Sequence, residues 1–137
     1  GDKDEDNIRK FEHLGTRPFY IEEAVDKAID FYDMIGGKRK EERLLYLKNY
    51  WMARVKDIPK VKLHTSFKKE FGCAIGLVSV EGKEPGALDS YLWQHYKIHT
   101  VGIVWENIRG VRVTPNVYTS TKNLDRLAEG IEAFAKS

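Results

Sequence analysis

At Asp57-Ile58-Pro59 the periodicity of the sequence changes, and this change constrains the fold more than any other feature. Upstream, apolar residues recur at three- and four-residue spacing, the mark of helices with one buried stripe. Downstream come short β-branched runs separated by turn residues, the mark of strands. A chain that carries helices first, and then strands interleaved with helices, is expected to build an α+β unit.

In the upstream part, Gly15-Thr16-Arg17-Pro18 is a helix-entry signal, because proline costs no hydrogen bond in a first helical turn. Ile21, Ala24, Val25, Ala28, Ile29, Tyr32 and Ile35 then trace one stripe of an amphipathic helix, which Gly36 and Gly37 stop. A second helix is expected from Lys38 to Lys56, with Leu44, Leu47, Trp51 and Val55 facing inward and the run KRKEER opening its solvated side. Acids and bases interleave there, so their fields cancel.

Downstream, Val61 to Thr65 reads as a short strand, and Cys73 to Val80 as the most apolar strand and the centre of a sheet. Gly86 to Tyr96 has helical spacing in Leu88, Leu92 and Tyr96, with Asp89 near its start, where the helix dipole favours a negative charge. Ile98 to Trp105 and Gly110 to Thr114 are strands joined by Glu106 to Arg109, which predicts a hairpin. Ser120 can cap a last helix through Leu124, Leu127, Ile131 and Phe134. The expected fold is α+β: a small, mostly antiparallel sheet of three or four strands with helices on one face, preceded by a two-helix arm. Residues 1–56 would form the N-terminal segment and arm, and residues 57–137 the α+β small domain. The glycine-rich phosphate loops of large parallel sheets, GxGxxG and GxxxxGK[ST], are absent.

Composition narrows the partners. The 23 Lys and Arg against 21 Asp and Glu leave a net charge of +2, which gives no electrostatic footprint for nucleic acid. Lys56, Lys60, Lys62, Lys68 and Lys69 lie near Tyr46, Tyr50 and Trp51, but those aromatics fall on helical spacing and read as core beside a basic loop. One cysteine rules out a disulfide framework within the chain, and Cys73 reads as a small buried hydrophobe. No apolar run approaches the roughly 18 residues of a membrane span, and the acidic start GDKDEDN does not read as a signal peptide. Neither a membrane nor a nucleic acid is expected as a partner, and a cytoplasmic location is the default.

Few residues offer chemistry. His95 and His99 have ligand spacing but no accompanying cysteine or acid cluster, so no metal site is assigned. Arg112 is more distinctive. It alternates with Val111 and Val113, which should face the core, and stands just before the break at Pro115. A lone strand arginine is most often simply solvated. On a stiff strand, however, a guanidinium can hold a carboxylate in a two-point fork.

The run RGVRVTPNVYTSTKNLDRLAEGI resembles the C-terminal signature of class V pyridoxal-phosphate aminotransferases, a group that includes cysteine desulfurases and isopenicillin N epimerase-like proteins. The matching positions are Arg112, Val113, Thr114, Tyr118, Ser120 and Asp125 to Leu127. FEHLGTRPFY near the start resembles the FExxGTR segment of the same family, in which the Gly-Thr pair approaches the cofactor phosphate of the neighbouring subunit. The resemblance covers nearly the whole chain, as the C-terminal third of such an enzyme. It implies that Arg112 binds the substrate carboxylate and that Gly15, Thr16 and Arg17 contact the cofactor phosphate in a homodimer.

It also implies pyridoxal phosphate in an intact parent, a large domain as partner and an amino acid as substrate. The family's cofactor-binding lysine, in a Ser-x-His-Lys context, and its Asp-x-Ala-His motif are both absent, so the resemblance assigns no catalytic residue here and implies that the piece alone is inactive. IHTVGIVWENIRGVRV lacks the cysteine that desulfurases carry before the arginine strand, and IRGVRVTPNVY is worded more like the epimerase-like branch. The alternative is a free-standing α+β module that binds a small anion or regulates a partner.

Overall fold

A computed structural model describes Gly15 and residues 18–137. Two compact units divide it, residues 1–36 and residues 37–137. In the first, α1 (Tyr20–Ile35) begins just after Pro18, whose carbonyl accepts the Ile21 N–H at 3.3 Å. Gly36, at φ +84°, ends it while donating its N–H to the Tyr32 carbonyl. None of its residues is buried, and the expected stripe of Ile21, Val25 and Ile29 is about half exposed.

The second unit contains α2 (Gly37–Val55), β1 (Val61–Leu63), β2 (Gly76–Val80), α3 (Pro85–Tyr91), β3 (Val101–Trp105), β4 (Ile108–Val113) and α4 (Thr121–Lys136). The strands form one antiparallel sheet in the order β1-β2-β4-β3, which bears out the α+β expectation with four strands. Val78, Val80, Val111 and Val113 point to one face and meet Leu47, Trp51, Met52 and Val55 of α2, Leu88 and Leu92 around α3, and Leu124, Leu127, Ile131 and Phe134 of α4. Thus α2, grouped with the arm on periodicity alone, supplies a layer of this core. The opposite face carries Leu77, Arg112 and Val101 side by side.

Glycines set two of the closest contacts. A Cβ at Gly76 would stand 2.3 Å from Trp51 Cζ2, so the indole lies directly against the β2 backbone. At Gly130 a Cβ would stand 2.7 Å from Leu92 Cδ2, where α3 widens into a π-helical turn (Leu92–Tyr96) that ends on Lys97 in the left-handed region. The single helix expected from Gly86 to Tyr96 is therefore two segments. Asp89 sits outside the first turn and instead accepts a 2.5 Å hydrogen bond from the buried Thr100 hydroxyl.

Three further expectations are corrected. Cys73 is exposed and lies before β2, not in it. The partner strand runs out there: pairing begins at Gly76↔Val113, and β4 stops ahead of Pro115, which has no N–H to offer. β1 ends at Leu63, although the His64 N–H still reaches the Leu77 carbonyl at 2.9 Å. The hairpin is tighter than expected, since Trp105↔Ile108 leaves only Glu106 and Asn107 in the turn, with Glu106 at φ +48°.

Candidate functional site

Arg112 is held by strands on both sides. Its Cα partners are Leu77 on β2 and Val101 on β3, so its side chain emerges from the middle of a hydrogen-bonded ladder. Val111 and Val113 on either side of it are buried, and Arg112 itself is exposed, as alternation requires. Among the described residues its side chain makes no hydrogen bond or ion pair, so the guanidinium keeps all five of its donors.

The segment after it is fixed by a compact set of bonds. Pro115 is buried. Asn116 N–H donates to Thr119 Oγ1 at 2.9 Å, Val117 N–H to Asn116 Oδ1 at 2.7 Å, and Thr119 N–H to the Asn116 carbonyl at 2.8 Å. Ser120 caps α4 as expected, its Oγ accepting the Asn123 N–H at 3.2 Å. Arg43 of α2 reaches across to donate to the Thr119 carbonyl at 3.1 Å and the Val117 carbonyl at 3.5 Å. Sequence reasoning missed Arg43 by assigning KRKEER to the solvated side. The usable signal was its position four residues before Leu47, on the edge of the buried stripe.

The Asp-Arg-Leu run of α4 has a separate job for each residue. Asp125 accepts the Tyr50 hydroxyl at 2.8 Å and pairs with Arg54 Nε at 3.3 Å, which ties α4 to α2. Its hydrogen bond holds the Tyr50 phenol above its ordinary pKa, with burial adding to the effect. Arg126 donates to the Tyr96 carbonyl at 2.6 Å, and Leu127 is core. Tyr118 is 82% exposed.

Of the other expected site residues, Gly15 has φ +74°, with open space where a Cβ would be. Thr16 and Arg17 lie outside the described residues, and Gly15 belongs to the first unit. His95 stacks on the Tyr91 ring at 4.4 Å, and His99 lies edge-on to Trp93.

These features define a class, an α+β small domain with a four-stranded antiparallel sheet and its helices on one face. The same fold occurs in the crystal structure of alanine–glyoxylate aminotransferase from Nostoc sp., with a TM-score of 0.71 over 88% of this chain at 20% sequence identity. The chain spans only 32% of that protein's length. No family model matches the chain, and no curated protein sequence does.

Proposed function

We propose that this chain is the small-domain portion of a pyridoxal-phosphate-dependent enzyme of the class V aminotransferase type, of the isopenicillin N epimerase-like branch, acting on an amino acid. The observation that carries the reading is Arg112, a guanidinium without an ion-pair partner among the described residues, held by two neighbouring strands and flanked by Leu77 and Val101. Apolar neighbours strip water from a fork and strengthen its grip on a carboxylate. The aminotransferase-like fold supports a large domain as the covalent partner, with residues up to 56 as the connecting arm. In this arrangement α2 is both connector and core layer.

Gly15, Thr16 and Arg17 are the proposed contacts to the cofactor phosphate across a homodimer. Their chemistry fits a dianion: an unobstructed backbone at Gly15, a hydroxyl at Thr16 and a cation at Arg17. When bound, pyridoxal phosphate supplies the electron sink. This chain supplies orientation only, fixing the substrate carboxylate and one end of the cofactor. In the full-length enzyme, Arg112→Lys keeps the charge and loses the fork. It should raise KM for the amino-acid substrate about 10- to 100-fold, the worth of one charged hydrogen bond, with a smaller change in kcat. Steady-state kinetics with an unchanged KM would remove Arg112 from the site.

A further inference from the structure

A second concave region lies at the β1 edge of the sheet and contains no part of the Arg112 site. It is about 610 Å³, within the usual size range of small-ligand clefts, and its polar lining includes Lys60, Lys62, His64, Ser79, Asn107 and Arg109. Lys62 and Ser79 are cross-strand partners, so their side chains share a face, and His64 follows two residues later on that same face. His64 Nε2 lies 2.7 Å from Ser79 Oγ. Partial burial, and then the charge of Lys62, push the imidazole below its ordinary pKa, so the exposed His64 and half-buried Ser79 present a neutral pair of hydrogen-bonding groups to the cleft.

The rim is cationic. Neither Lys60 nor Lys62 has an ion-pair partner among the described residues. Arg109 is paired with Glu84, which stands outside the cleft, and among the described residues Glu81 is the one carboxylate in the lining. Lys60 adopts φ +68°, a conformation that a residue with a Cβ enters at a cost and glycine enters freely. Two backbone bonds hold the turn there, Glu81 N–H to the Lys60 carbonyl at 2.8 Å and Val61 N–H to the Ile58 carbonyl at 3.1 Å. Lys60 shares this left-handed region with Lys97 and Glu106, and the turn it makes places its ammonium on the cleft rim.

We propose that this cleft binds the phosphate group of a phosphorylated small molecule. The lysines match its charge, and Ser79, Asn107 and neutral His64 supply directional hydrogen bonds. Titration of the full chain with inorganic pyrophosphate in 0.15 M salt, followed by amide NMR, tests this. Saturable shifts confined to Lys60–His64, Ser79 and Asn107–Arg109 are expected. Lys60→Gly separates binding from folding, because it relieves the strained turn while removing the ammonium. It should melt no lower than the parent chain and weaken pyrophosphate binding about tenfold, with Lys62→Gln acting in the same direction. Shifts spread equally over Lys68, Lys69 and Lys122, or an affinity unchanged in both variants, would mean an adventitious ion only and overturn the proposal. So would a thymidine oligonucleotide that produces the same shifts at lower concentration.

Discussion

The Trp51 indole against Gly76 shows how one missing Cβ decides a core. The ring fills the space in which any other residue would place its first side-chain carbon, and both partners belong to rigid elements that cannot back away cheaply. Gly76→Ala should therefore destabilise the second unit by about 1–3 kcal/mol, as overpacking does, and a urea melt will measure it. His64 makes a second local prediction. Its folded pKa lies below the usual value of about 6.5, so the unfolded chain takes up the proton first as pH falls. The stability this neutral imidazole contributes is complete above that value and is lost as pH drops through it toward the folded pKa. Between pH 7.5 and 5.5 the Tm should fall more in the parent chain than in His64→Gln. Because His64 is exposed, the difference should be small.

The β4–turn–α4 unit depends on an arginine from a distant helix. Arg43 satisfies two carbonyls of the turn that follows Arg112, and no other side chain outside that turn is bonded to it among the described residues. Arg43→Ala should cost about 1–2 kcal/mol, discounted from a buried charged bond for its partial exposure. It should speed hydrogen exchange at 116–120 while leaving the β2 amides protected; equal exchange in both regions would show that the turn holds itself. Residues such as Arg43 mark the limit of what sequence could reveal. The helices α1, α2 and α4, the hairpin and the outward face of Arg112 follow from periods of 3.6 and 2, which are local properties, whereas the apolar stripe of α1 is not buried. The end of β2 at Gly76 depends on where β4 stops, and the π turn at Leu92–Tyr96 on the space above Gly130. Both are set by partners distant in sequence. Of the proposed site, alternation gave the outward face of Arg112, and the bonds that steady the loop after it were left unseen.

Among the described residues, every core residue lies between Leu47 and Ala135, and α1 buries none of its own. A unit with a closed core of its own is expected to fold without residues 1–36, and Ile108, Val101 and Trp105 are exposed on the sheet face opposite that core. The chain spans about a third of the length of the aminotransferase that shares its fold. A chain starting at Gly37 should therefore unfold in one cooperative urea transition, with a stability on the order of 5 kcal/mol. Trp51 is fully buried while Trp93 and Trp105 are exposed, so tryptophan fluorescence reports mainly on the core and circular dichroism on the helices. The two signals should give one midpoint, within experimental error of that of the full chain. A broad transition, or a midpoint well below the full chain's, would mean that residues 1–36 complete the fold and that the core is not closed at α2.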